Sequence, residues 1–140
     1  MAENPFSRPS TLPYQLPPFD RVQNADYHPA FEQGMREQRA EVQEIVQNPA
    51  ESDFQNTLVA LERSGQMLSR VSAVFFNLNA SNTDPQMQEI DSEIAPKLQA
   101  HEDAIFLDAA LFVRVDAVYR RRAGLHRPRC VRATREAFAP

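Results

Sequence analysis

The chain has 140 residues, of which 42% are hydrophobic, and this suits one domain that buries roughly two-thirds of its extended surface. No apolar run approaches the roughly 18 residues that span a bilayer, and residues 1–20 lack the apolar core of a secretory signal. The single cysteine, Cys130, excludes an intramolecular disulfide. We therefore expect a cytoplasmic protein without a membrane segment.

The first 24 residues are rich in proline, which fixes φ and removes a backbone donor. We predict that residues 1–24 form an extended arm rather than a helix. Six apolar residues are expected to anchor this arm on the rest of the chain: Phe6, Leu12, Tyr14, Leu16, Phe19 and Val22. The alternative is an arm that is free of the body.

Residues 25–119 are predicted to form a helical domain of about four antiparallel helices. The first helix should begin near Asp26 as N-cap, with Pro29 in the first turn, where a missing N–H costs little. Apolar residues spaced by three and four mark its inward face. They are Phe31, Met35, Val42, Ile45 and Val46.

The second helix is predicted to start at a capping box on Ser52 and to run without a break to about Leu78. Gly65 falls on its inward face, where we expect it to let a neighbouring helix approach closely. Phe75 and Phe76 are about 100° apart on a helix, so one should lie in the core and the other beside it.

The third helix opens with Asp84 as N-cap and Pro85 at the first helical position. Pro96 inside it should produce a kink. A fourth helix is predicted from a cap near Asp108. Because no alternating strand pattern or hairpin turn interrupts these elements, the fold class is all-α.

The dipeptide His101–Glu102 begins the zinc-peptidase pattern H-E-x-x-H, in which two histidines share one helix face. Ile105 occupies the position of the second histidine, and His28 and His126 lie far away in the sequence. A histidine on an apolar helix face is more often a packed, hydrogen-bonded residue than a metal ligand. We therefore expect His101 to belong to the core.

No other motif supports catalysis. Cys130 stands among arginines without a histidine partner pattern, and carboxylates such as Glu62, Glu89 and Glu93 are typical of solvated helix faces. Seven arginines and one acid give residues 120–140 a charge of +6, which leaves −10 for the rest of the chain. Without interleaved aromatics this basic end argues against specific nucleic-acid binding. We predict no catalytic, cofactor-binding or metal-binding residue.

Several strings nevertheless point to a known family. The most specific are "TLVALERSG", "RVSAVFFNL" and "EIAPKLQAHEDAIFL", and they occur with "PPFDRV" and "HPAFEQGMREQRAEVQEIVQNP" in family order. They resemble the N-terminal region of the thimet-oligopeptidase-like zinc metallopeptidases, closest to bacterial peptidyl-dipeptidases and oligopeptidase A. The resemblance covers about residues 4–120.

This resemblance implies a mostly helical enzyme of several hundred residues, whose two lobes enclose a channel for short peptides. In the family a zinc ion, held by H-E-x-x-H and a downstream glutamate, activates water, and the peptidyl-dipeptidases release dipeptides from the C-terminus of the substrate. That machinery lies far downstream of the matching region. The chain would then be a helical fragment of the enzyme, without its zinc site.

The sequence departs from the family after about Arg122, where another amphipathic helix would be expected. The end of the chain is instead rich in arginine and lacks a periodic apolar stripe. We therefore hypothesise that residues 120–140 are an atypical tail produced by a reading-frame shift or a truncation. The alternative is a basic tail with a purpose of its own.

Two functional interpretations follow. In the first, the chain is the N-terminal helical domain of a zinc peptidase, is inactive alone and self-associates through exposed apolar faces. In the second, it is a stand-alone helical module that binds a protein or a peptide between its helices. Binding of nucleic acid through residues 120–135 ranks third.

Overall fold

The computed structural model describes residues 3–124, and this range contains helices and turns but no strand. The elements are a 3-10 turn at Pro13–Gln15, α1 (Asn24–Gln47), a π-helical segment (Phe54–Val59), α2 (Ala60–Arg63), α3 (Gln66–Ser81), α4 (Pro85–Phe106), α5 (Ala109–Arg120) and a 3-10 turn at Arg122–Gly124. The all-α prediction is confirmed. None of the helices in this range has the length and apolar character that a membrane span requires. Most of the predicted tail, with His126 and Cys130, lies outside the described residues.

The central element is α1, which contacts α3, α4, α2 and α5. Its N-terminal half contributes to the larger core, where the ring of Phe75 meets those of Tyr27 and Phe31 edge-on at 4.9 and 5.4 Å. Its C-terminal half contributes Val42 and Ile45 to a second, smaller core cluster. The remaining buried members of the larger core are Phe6, Ala30, Met35, Met67, Leu68, Val71, Val74, Met87, Ile90 and Ile94.

The predicted starts of the third and fourth helices are confirmed. The carboxylate of Asp84 accepts a hydrogen bond from the Met87 N–H at 2.8 Å, and Pro85 follows as the first helical residue. The carboxylate of Asp108 accepts from the N–H groups of Ala110 and Leu111 at 2.8 and 2.9 Å. Both caps are local motifs, which is why the sequence was sufficient to locate them.

The first helix begins two residues earlier than its predicted cap. It starts at Asn24, and the carboxylate of Asp26 instead accepts a hydrogen bond from the Gln23 N–H at 2.8 Å. Pro29 therefore lies in the second turn rather than the first. Because proline has no N–H, the carbonyl four residues before it has no intrahelical donor. Helix α1 continues through this gap because its buried face is held by the core.

The prediction of one unbroken helix from Ser52 to Leu78 is wrong. The N-cap is Asp53, whose carboxylate accepts from the Asn56 N–H at 2.7 Å while the Asn56 side chain accepts from the Asp53 N–H at 2.9 Å. A π-helical segment and the short α2 follow, and the chain breaks before α3. Within α3, Phe75 is buried and Phe76 is partly exposed, as the spacing predicted.

The close approach predicted at Gly65 is present, since a Cβ there would lie 2.6 Å from the side chain of Gln38 on α1. Gly65 breaks the helix, because its φ of +69° lies in the left-handed region that favours glycine. Gly34 on α1 allows a second close approach, since a Cβ at this position would lie 2.9 Å from the N and Cα atoms of Leu68. Helix α1 therefore packs directly against the backbone of α3.

The arm is anchored at its beginning and its end. Phe6 is 3% exposed beside the ring of Tyr27, and the Arg70 guanidinium donates to the Phe6 carbonyl at 3.0 Å. Val22 packs partly buried against the same core. The prediction is wrong for the four apolar residues between them, all of which are exposed. They are Leu12, Tyr14, Leu16 and Phe19.

Candidate functional site

Residues 3–124 form a groove of about 1100 Å³. One wall comes from the π-helical segment, α2 and α3, and the other from α4 and α5. Its wall residues lie on both sides of the break at Gly65, so this break shapes the groove. The aliphatic side chains that line it are Leu58, Val59, Leu61, Leu68, Leu98, Ile105, Leu111 and Val115.

The edges of the groove expose aromatic side chains. Phe76, Phe106 and Phe112 line it and are 39%, 73% and 65% exposed. Each directly follows a buried residue, so helix geometry turns the aromatic ring away from the core. Exposed aromatic rings around an apolar floor are typical of a surface that another polypeptide covers.

Two carboxylates also line the groove, Glu62 on α2 and Glu102 on α4. Among the described residues that line it, none is a lysine, arginine or histidine. The groove is therefore apolar at its floor and acidic in its charged groups. The charged side chains of the groove therefore favour a cationic ligand over an anionic one.

His101 lies behind this groove, fully buried on α4. Its Nε2 is 2.7 Å from the Gln38 Oε1 atom, and its Nδ1 accepts from the Arg39 Nε–H at 3.3 Å. Because Nδ1 is an acceptor here, the ring is the neutral tautomer that carries its proton on Nε2. Both ring nitrogens are engaged, which agrees with the predicted role as a hydrogen-bonded core residue.

The bonds of Gln38 extend this contact to the helix break. The Gln38 Nε2 atom is 3.4 Å from the Ser64 Oγ atom, and the Ser64 hydroxyl donates to the Leu61 carbonyl at 2.7 Å. The neighbouring Gly65 N–H donates to the Glu41 carboxylate at 2.7 Å. Side chains of α1 thus hold the break between α2 and α3, and with it one wall of the groove.

We expect stability to fall as the pH drops below about 6.5, the ordinary pKa of histidine. Burial, together with the charge of Arg39, lowers the pKa of His101, although Glu102 acts in the opposite direction. His101 therefore takes up a proton more readily in the unfolded chain than in the folded chain. Its contribution to stability is complete above its pKa in the unfolded chain and is lost as the pH falls through its pKa in the folded chain. Urea unfolding at pH 7.5 and 5.5 measures this difference.

The matched variants for this test are His101→Gln and His28→Gln. His28 lies half-buried on α1, where its ring contacts Glu93 at 2.8 Å on the surface. The His101→Gln chain should lose most of the pH dependence between 5.5 and 7.5, and the His28→Gln chain should keep it. Equal pH dependence in the parent chain and the His101→Gln chain would contradict the prediction.

The described residues do not fit a zinc site. Within residues 3–124 no three histidine, cysteine or acidic side chains come together as metal ligands. The nitrogens of His101 are already bonded, and Ile105 packs in the core where a second histidine would be needed. Cys130 and His126 lie outside the described part of the chain.

Sequence reasoning missed Arg114, which is 9% exposed on α5. Its guanidinium donates to the Asn48 carbonyl at 2.8 Å, the Ala50 carbonyl at 3.4 Å and the Asn56 side-chain oxygen at 3.1 Å. It thereby fastens α5, one wall of the groove, to the loop after α1. The available signal was spacing, since Arg114 lies three residues after Leu111 on the inward face of α5.

Comparison with known proteins gives three informative matches, although no family model matches the chain. The chain is 47% identical over 125 residues to dipeptidyl carboxypeptidase of Salmonella typhimurium and 46% identical over 122 residues to dipeptidyl carboxypeptidase of Escherichia coli. These matches cover 89% and 87% of this chain but 18% of each relative. Oligopeptidase A of Escherichia coli is 23% identical over 96 residues, or 69% of this chain and 14% of that protein.

The chain therefore spans about a fifth of the length of the curated relatives that it matches. Identity near 47% across nearly nine-tenths of the chain agrees with the order of helices and with the sequence strings that suggested the family. These matches assign the chain to the N-terminal part of the dipeptidyl carboxypeptidase and oligopeptidase A family.

Proposed function

We propose that the chain supplies the N-terminal helical part of a peptidyl-dipeptidase that acts on short peptides. The observation that carries the proposal is the match of nearly nine-tenths of the chain to dipeptidyl carboxypeptidases. The resemblance implies a catalytic zinc held elsewhere in such an enzyme, and the described residues do not fit a zinc site. The chain alone is therefore expected to be inactive.

In this proposal the groove is a packing surface rather than a substrate site. Most of the residues that line it are apolar, and they include the exposed rings of Phe76, Phe106 and Phe112. The parts of the relatives that this chain does not match would cover it. The role of the chain is then to form part of one lobe and to hold the neighbouring helices in place.

A second candidate function is a stand-alone helical module that binds a protein or peptide. It is supported by the groove itself, because residues 3–124 form both of its walls.

In either case we place the chain in the cytoplasm. This location follows from the sequence expectation for a chain with one cysteine and no possible intramolecular disulfide.

We expect the isolated chain to self-associate through the apolar edges of the groove. Exposed aromatic rings at its rim lose unfavourable contact with water when two copies meet. Sedimentation velocity over a concentration series should show a rising average mass for the parent chain and a smaller rise for Phe106→Ser. Tyr14→Ser is the control, since Tyr14 is 98% exposed on the arm. A monodisperse monomer at all concentrations would contradict the expectation.

A full-length chimera tests the proposed function. The N-terminal segment of Escherichia coli dipeptidyl carboxypeptidase that matches this chain is replaced by residues 1–124, and release of C-terminal dipeptides is measured on a short quenched-fluorescence peptide. An active, zinc-containing chimera would support the proposal. A folded but inactive chimera would reject it and leave the stand-alone binding module as the better candidate.

The isolated 140-residue chain is measured beside the chimera. We expect no turnover and no stoichiometric zinc, with or without added metal. Turnover that is sensitive to a chelator and is abolished by His101→Gln would show a catalytic site in this chain. A chimera that carries Gly34→Val serves as the negative control, because this change should disturb the packing of α1 on α3.

A further inference from the structure

We infer that the groove accepts an amphipathic α-helix from a partner polypeptide, with basic side chains beside the apolar face of that helix. This inference rests on the proposed function, since it names the kind of segment that covers the groove. The partner helix lies outside residues 1–140. It is not the peptide substrate of the enzyme. Three properties of the groove support the inference.

The first property is size. A helix about 10–12 Å across with a pitch of 5.4 Å fills roughly 400–600 Å³ per turn. A groove of about 1100 Å³ therefore has room for about two turns of helix. Two turns present the apolar residues i, i+3, i+4 and i+7, which is the usual set of anchors when a helix lies in a groove.

The second property is the lack of backbone partners. An extended peptide needs main-chain donors and acceptors along its binding site, because its own N–H and C=O groups are unpaired. The walls of this groove are mostly helical, with backbone groups paired internally except in the first turn of α3, and the polar groups of Gln38 and Ser64 are already bonded to each other and to His101 and Leu61. A helical occupant carries its own backbone hydrogen bonds and needs none from the groove.

The third property is charge. Glu62 and Glu102 line the groove, and the described lining residues include no basic side chain. Residues 1–119 as a whole carry a charge of −10. A helix with lysine or arginine beside its apolar face would pair with these carboxylates, whereas a helix with acidic residues there would be repelled. Charge complementarity thus favours a partner helix with positively charged side chains.

Two synthetic helical peptides test the inference on the full 140-residue chain. Both have 14 residues and the same leucines at i, i+3, i+4 and i+7, and they differ in having lysines or glutamates beside the leucines. Binding is followed by fluorescence anisotropy at a chain concentration at which sedimentation shows a monomer. We expect the lysine peptide to bind about tenfold more tightly than the glutamate peptide, with a difference that shrinks at high salt.

Adjacent residues of α5 and residues of α4 provide matched controls. Phe112 lines the groove and is 65% exposed, whereas its neighbour Val113 is 66% exposed and does not line it. Phe112→Ser should weaken binding of the lysine peptide and Val113→Ser should not. Glu102→Lys should remove most of the difference in affinity between the lysine peptide and the glutamate peptide. Glu89→Lys, elsewhere on the same helix, should leave that difference unchanged.

Several results would overturn the inference. They are failure of the parent chain to bind either peptide, equal binding of the two peptides, and equal effects of Phe112→Ser and Val113→Ser. Binding that appears only after residues 125–140 are deleted would assign the groove to the chain's own tail instead. The chimera assay does not use these peptides, so failure of the proposed function and failure of this inference are distinguished.

Discussion

Replacing Arg114 with alanine is expected to lower the free energy of unfolding by about 3 kcal/mol. The guanidinium is buried and donates to the carbonyls of Asn48 and Ala50 and to the side chain of Asn56. Removal of the donor leaves these acceptors without their charged partner, and the positive charge near the C-terminal end of α1 is lost as well. Urea unfolding followed by circular dichroism measures the change.

The control for this prediction is Arg120→Ala on the same helix. Arg120 is highly exposed and pairs with Asp116 at 2.7 Å, so its loss should cost less than about 1 kcal/mol. The loss of unfolding free energy for Arg114→Lys should lie between those of the two alanine variants. A lysine ammonium keeps the charge but lacks the planar guanidinium that bonds several acceptors at once. A cost for Arg114→Ala no larger than that for Arg120→Ala would contradict the assigned role.

Gly34→Val is expected to destabilise the chain by about 2–3 kcal/mol or more, because it inserts side-chain atoms where α1 meets the backbone of α3. The N and Cα atoms of Leu68 lie 2.9 Å from the position of a Cβ at residue 34. A backbone atom cannot move aside as the end of a flexible side chain can. Thermal and urea unfolding of the variant measure the loss.

A double variant shows whether the contact is with the backbone. Leu68→Ala removes the Leu68 side chain beyond Cβ but leaves the N and Cα atoms in place, so it should not rescue Gly34→Val. Glu37→Ala, at an exposed position of α1, is the control for changes of helix propensity and should shift stability little. Rescue by Leu68→Ala would show that the close contact is with the side chain.

The parts of the fold that were predicted from the sequence are those that depend on neighbouring residues. Asp84 with Pro85 and Asp108 were recognised because a cap and the first helical turn lie within four residues of each other. The burial of Phe75 and the partial exposure of Phe76 followed from the helical period. His101 was placed in the core because it shares a face with aliphatic residues.

The helix break at Gly65 and the close contact at Gly34 were not predicted because both depend on distant segments. Gly34 is needed because α3 approaches it, and Leu68 is 34 residues away in the sequence. Gly65 was placed on a regular helical stripe, but its positive φ and its hydrogen bond to Glu41 are set by contacts with α1. Helical spacing describes a face correctly only while the helix continues.

The groove could not be predicted for a related reason. Its walls come from five separate elements, and the break at Gly65 decides how two of them meet. Arg114 was missed because its acceptors are backbone carbonyls 64 and 66 residues away. Carbonyl groups are present at every position, so a sequence pattern cannot mark the ones that will receive a buried guanidinium.

The burial of Phe6 has a consequence for how this helical unit can be delimited. Its ring fills space beside Tyr27 within the same core as α1, α3 and α4, and Arg70 holds its carbonyl from a position 64 residues later. A shortened chain that starts at the first residue of α1 would open a void against Tyr27 and leave Arg70 without that acceptor. The shortest self-sufficient piece therefore begins upstream of Phe6, and cleavage within the exposed middle of the arm would separate the core from one of its own side chains.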